Sequence, residues 1–68
     1  MRTFSVDMSR FTSSGLGTLH DPLAAELHPG DRIAVTDEDA DTLEAEVIGV
    51  TGEAAEIKIL WDKVLHRA

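Results

Sequence analysis

Between positions 32 and 61 apolar side chains recur at every second residue. Ile33 and Val35 alternate with Arg32, Ala34 and Thr36; Leu43, Ala45 and Val47 alternate with Glu44 and Glu46; Ile57, Ile59 and Trp61 alternate with Glu56, Lys58 and Leu60. A period of two places one set of side chains on one face of a strand, so this span predicts three antiparallel strands with a shared apolar face. Their boundaries are residues 32–36, 42–50 and 55–61. Pro29-Gly30 suits a type II turn ahead of the first strand, with Pro presetting φ and Gly accepting a positive φ. An acidic turn over 37–41 and a Gly-bearing turn over 51–54 join the rest. The alternation slips at Ile48-Gly49. Either a β-bulge bends the strand there, or its end is covered on both faces.

The flanks are less regular. Phe4, Val6 and Met8 alternate with Thr3, Ser5 and Asp7, which predicts a further strand over residues 2–8. Thr12-Ser13-Ser14-Gly15-Leu16-Gly17-Thr18 reads by composition as a loop, so a flexible segment is expected at about 12–20. Asp21-Pro22 is a helix start: Asp offers a capping oxygen, and Pro at the first position gives up only an unpaired N–H. Leu23, Ala24 and Leu27 then share a face, and Pro29 ends the helix, giving one short helix at about 22–27. Residues 62–68 supply a last short strand through Val64 or a helical turn.

Sixty-eight residues allow a single domain. A core of this size seldom supplies more than roughly 3–5 kcal/mol without staples. There is no cysteine, which removes disulfides and thiolate metal sites and fits a reducing compartment. Self-association is the remaining staple. No apolar run reaches the length of a membrane span and the N-terminus has no signal-peptide apolar region, so a cytoplasmic protein is expected. The Arg, Ala, Asp and Glu content hints at a bacterial source. The net charge is −7 and most of the thirteen acids lie between 37 and 62. Such a face repels phosphate backbones, which disfavours nucleic acid and favours a basic partner.

The segments Leu27-His28-Pro29-Gly30-Asp31, Arg32-Ile33-Ala34-Val35, Glu44 to Val50 and Glu56 to Asp62 resemble the SH3-like small β-barrels, Tudor and KOW types included. The resemblance covers residues 27–62 and stays at fold level. It implies a mostly-β domain over 1–68, a small barrel of four or five antiparallel strands with the one short helix. A methyl-cation cage needs several ring faces, whereas this chain has only Phe4, Phe11 and Trp61. The stretch from Leu23 to Ile33 is also similar to the segment leading into the strand of AbrB/MazE-type antitoxins, which dimerise and bind DNA. That makes a nucleic-acid-linked regulator of antitoxin or KOW type the alternative function.

Candidate chemistry is sparse. Asp37-x-Asp39-x-Asp41 has metal-like spacing, but Thr42 stands where a calcium loop needs Gly, and Ile48 where it needs Glu. His20, His28 and His66 have no ligand spacing. The serines lack a nucleophile elbow and no cleft holds a paired acid. Gly15-x-Gly17 has neither the third glycine nor the preceding strand of a phosphate-binding loop. No catalytic residue, metal or cofactor is therefore assigned, and an enzyme is not expected. The expectation is a protein-interaction or accessory module that meets a basic surface or forms a homodimer. Its candidate residues are Asp37, Glu38, Asp39, Asp41, Glu44, Glu46, Ile48, Leu60 and Trp61. Ile48 and Leu60 are apolar on the polar face. Trp61 is either a core residue continuing the Ile57-Ile59 row or an interface anchor.

Overall fold

The computed structural model describes residues 1–68. Five strands form one mixed sheet: β1 (Thr3–Ser5), β2 (Leu16–His20), β3 (Arg32–Thr36), β4 (Thr42–Thr51) and β5 (Ala54–His66). Their order across the sheet is β1-β3-β4-β5-β2. The fold is mostly β, and three of the strands are the meander that the alternation predicts. Two features of the expected barrel are corrected. The strands are not all antiparallel, because β1 runs parallel to β3. Nor is the sheet closed: β1 and β2 end it on opposite sides, each with a neighbour on one side only.

The short helix is likewise corrected, and the reason is local. Asp21 caps as expected, its Oδ1 accepting the Leu23 N–H at 2.8 Å. The bonds that follow, however, span three residues: Ala24 N–H to Asp21 O at 2.8 Å and Leu27 N–H to Ala24 O at 3.0 Å. Pro22–Glu26 is therefore a 3-10 turn, and no α-helix forms. With three residues per turn, positions three apart share a face. Ala24 and Leu27 are accordingly buried, and Leu23, expected beside them, is 53% exposed. The turn at His28–Asp31 closes as expected, with Asp31 N–H donating to His28 O at 3.0 Å and Gly30 at φ 94°.

The N-terminal strand is shorter than residues 2–8. After Val6 donates its N–H to Thr36 O, Asp7 accepts the Ser9 N–H and starts a second 3-10 turn, Met8–Arg10, which leads the chain off the sheet. The loop expected at 12–20 is a strand from Leu16, paired with β5 from Leu16–Lys58 to His20–Ala54. Its glycines are what the pairing requires. Gly15, at φ 93°, lies so close to β5 that a Cβ would fall 2.2 Å from Ile59 O, and the Phe11 ring covers Gly17.

Two irregularities shape β4 and β5. Val47 lies opposite Ile57 and Gly49 opposite Glu56, so the bulge at Ile48-Gly49 is present and Ile48 has no partner residue. Such an insertion bends a strand and increases its twist. At the far end Glu44 lies opposite Leu60 but Leu43 opposite Val64, so Trp61, Asp62 and Lys63 have no partner on β4. Beyond them β5 continues to His66, which makes the C-terminal residues strand rather than helical turn.

One face of the sheet holds the core. Phe4, Leu19, Leu27, Ile33, Val35, Leu43, Ala45, Val47, Ala55, Ile57 and Ile59 join Ala24 in one buried cluster. Val6, Met8, Phe11, Val50 and Val64 pack against its margin. Ala34, expected on the outer face, is also buried where β1 lies alongside. No buried side-chain polar atom lacks a partner. No helix is long and apolar enough to cross a membrane.

Candidate functional site

The acidic turn, the unpaired stretch of β5 and the 12–15 segment lie at one end of the sheet. Asp37 follows β3, Thr42 opens β4 opposite His66, and the last residue donates its N–H to Asp41 Oδ1 at 2.9 Å. Trp61 stands among them. Its continuation of the Ile57-Ile59 row is corrected: the three unpaired residues break the alternation after Leu60, and Trp61 is 40% exposed. Its indole N–H donates to Ser13 O at 2.9 Å, which fastens the ring over the 12–15 segment.

The turn acids are only partly available to a partner. Asp37 accepts the Met8 N–H at 2.8 Å through Oδ2 and the Glu38 N–H at 2.7 Å through Oδ1, so it ties the N-terminal segment to the end of β3. Asp41 holds the C-terminal residue and faces Arg67 at 3.6 Å. Glu44 is paired with Arg32 at 2.7 Å and is the most sheltered of the ion-paired carboxylates. Glu38, Asp39 and Glu46 have no such ties. Asp39 sits at φ 63° in the turn that Ala40 N–H closes onto Asp37 O. Left-handed backbone is tolerated by Asp better than by most residues.

The two outward apolar residues do not form one patch. Ile48 is 43% exposed at the bulge, and Leu60 is half-buried opposite Glu44. Glu46 and Lys58, which face each other across β4 and β5, lie between them. The neighbour of Leu60 on that face is instead Leu16, which is exposed beside Lys58 on β2. Leu65 is exposed further along β5, whereas Leu19 is buried in the core.

One carboxyl is shifted. Asp7 is held below the ordinary value of 3.8, first by the Ser9 hydroxyl, then by the Ser9 N–H, with Arg10 adding its charge. It is exposed, so solvent limits what this is worth. No group of three or more His, Asp or Glu side chains converges as metal ligands would. The residues that sequence reasoning missed are Ser13, whose carbonyl fixes the indole, and Asp7 with Ser9. Nothing in the composition of a Ser-rich segment says which carbonyl an indole 48 positions away will find. Comparison with protein-family models, with curated proteins and with solved structures found no match to this chain.

Proposed function

We propose that this chain is a non-catalytic protein-interaction module whose acidic end meets a basic partner surface around Trp61. The observation that carries the reading is the tryptophan itself. It is 40% exposed, lies outside the core row, and its indole is already fastened to Ser13 O. A large ring held in place loses little conformational freedom when a partner covers it, and Trp is enriched among residues that dominate interfaces. Glu38 and Asp39, in the turn at the same end of the sheet, contribute charge that no internal base neutralises. Asp62, exposed and without an ion-pair partner, follows Trp61 in the chain. A basic surface is therefore the complementary one.

Affinity capture from the native host with wild type and Trp61→Ala tests this. The expected result is salt-sensitive retention of basic proteins by wild type and its loss in the variant, with an unchanged far-UV circular dichroism spectrum. Equal capture by both proteins would remove Trp61 from the function. Retention of the wild type on heparin, fading with salt, would turn the reading to a nucleic-acid-linked regulator.

A further inference from the structure

The two ends of the open sheet face each other. Ser5, Val6 and Asp7 at the end of β1 line one side of a cleft of about 310 Å³, and Thr18, Leu19 and His20 of β2 line the other. Arg10 and Phe11, between the two strands in sequence, complete it. β1 is parallel to β3, and each step from β3 through β4 and β5 to β2 is antiparallel, so β1 and β2 run in opposite directions across the gap.

The hydrogen bonds say which backbone groups point into the gap. Arg2 O accepts the Ala34 N–H at 2.8 Å, and Val6 N–H reaches Thr36 O at 2.9 Å. Alternate residues of a strand bond to opposite sides, so Thr3 and Ser5 turn their N–H and C=O away from β3. On β2, Gly15 O accepts the Ile59 N–H at 2.7 Å, which assigns Gly17 and Leu19 to β5 and turns Thr18 and His20 outward. Leu16 also turns outward, but Thr12 takes both its groups: its hydroxyl accepts the Leu16 N–H at 3.0 Å, and its N–H donates to Leu16 O at 2.9 Å. Of the residues whose groups turn outward, Ser5, Thr18 and His20 line the cleft.

We propose that this seam is a slot for an extended, lysine- or arginine-bearing segment of another protein, which adds as a further strand beside β1, β2 or both. Addition of a strand to an open edge takes affinity from main-chain bonds and specificity from alternate side chains. The floor offers the partly buried Val6 and Phe11 to alternate side chains of the incoming segment. The rim sets its charge. Asp37 and Glu38 lie in a depression that shares Ser5 and Val6 with the cleft, and Asp21 and Glu53 lie in one that shares His20. With Asp7 these carboxylates outnumber Arg10, which is itself 3.5 Å from Asp7. A second copy of this chain, at −7, brings like charge to the same rim. The proposal rests on the reading that the partner is basic, and it adds the seam as a second contact to the one at the Trp61 end.

The test uses the full chain, isotopically labelled, titrated with the peptide Lys-Val-Lys-Val-Lys, with Glu-Val-Glu-Val-Glu, and with the lysine peptide N-methylated at alternate residues on either edge. The lysine peptide is expected to shift the amide resonances of Ser5, Thr18 and His20. The acidic peptide is expected not to bind, and N-methylation to weaken binding by about tenfold or more, since it removes main-chain donors and leaves the charge. Ser5→Pro deletes an outward N–H without touching the ladder to β3, and is expected to weaken binding likewise. Undiminished binding of every N-methylated peptide overturns the slot, as does a failure of the lysine peptide to move these resonances. Shifts confined to residues 37–46 and Trp61 overturn it too while leaving the module reading intact. A dimer seen by light scattering, with its interface on these same amides, replaces the peptide by a second copy and overturns the proposal.

Discussion

The meander and its flanks are built on different terms. β3, β4 and β5 pair with their neighbours in sequence through short turns, and their inward residues form most of the core. β1 and β2 pair at long range, Phe4 beside Val35 and Leu19 beside Ala55, and each leaves one edge open. The first kind of pairing needs only alternation and a turn. The second needs closure of a long loop first, and then specific close contacts to hold the strand. The domain is thus a locally specified centre with remotely attached margins, and the open edges belong to the margins.

The largest expected effect is at the centre. Ile57→Ala removes a fully buried side chain from the middle of the cluster. Such truncations cost about 2–5 kcal/mol, comparable with the roughly 3–5 kcal/mol a core this small supplies. The variant is expected to be unfolded by circular dichroism at 25 °C. Leu23→Ala, at a 53% exposed position, is expected to change stability by about 0.5 kcal/mol or less in urea titration. If both variants were equally folded, the core would be misplaced.

A margin is held by close approach, and the glycines measure it. Gly15→Ala places a Cβ 2.2 Å from Ile59 O at φ 93°, and the contacting atom is backbone, which cannot step aside. A strained left-handed position alone costs about 1–3 kcal/mol, and here the clash adds to it. β2 is expected to detach from β5, with loss of exchange protection at Ile59. Gly49→Ala meets nothing within 4 Å and has an ordinary φ. It is expected to stay within about 0.5 kcal/mol of wild type in the same titration. Equal effects at the two glycines would mean that β2 does not lie against β5.

These contrasts also explain what the sequence could and could not disclose. Ile33, Val35, Leu43, Val47, Ile57 and Ile59 alternate strictly and are all buried. The Pro29-Gly30 turn and the bulge at Ile48-Gly49 carry their own signals, a residue free to take positive φ and a break in parity. By contrast, β2 is hidden in the sequence because its pairing partners, Ala54 to Lys58, and the Ile59 that Gly15 packs against lie far away in the chain. Parity leaves Trp61 between core and interface, because three consecutive residues of β5, Trp61 to Lys63, have no partner on β4, and parity read along one strand cannot register that. Closure was misjudged for a related reason: alternation identifies a buried face but not whether two distant edges meet. Of the candidate site, the acidic turn and the outward Ile48 were legible in position. The ties of Asp37, Asp41 and Glu44 to Met8, the C-terminus and Arg32 were not.

Smaller effects sharpen the same division. Trp61→Ala removes one hydrogen bond and a ring that is already partly in water, so a loss of about 1 kcal/mol is expected. Because Trp61 is the only tryptophan, its fluorescence reports directly. Emission is expected to be partly exposed in the folded state and to shift little on unfolding; strongly blue-shifted native emission would return the ring to the core. Smallest of all is Asp7→Asn. A carboxyl held below 3.8 when folded binds its proton more weakly there than in the unfolded chain. The stability it adds is complete above 3.8 and is lost as pH falls through the lowered value. The variant is expected to show a flatter decline of stability below that pH, measured by acid titration of the circular dichroism signal. An unchanged acid limb would mean that Ser9 and Arg10 do not favour the ionised form.

Native-state amide hydrogen exchange followed by NMR tests the open sheet most directly. The amides of Val47, Ile57 and Ile59 are expected to exchange only through global unfolding, while those of Thr3, Ser5, Thr18 and His20 exchange rapidly from the folded state. Protection of Ser5 and Thr18 equal to that of Ile59 would mean that β1 and β2 are paired and the barrel is closed. The seam would then not exist.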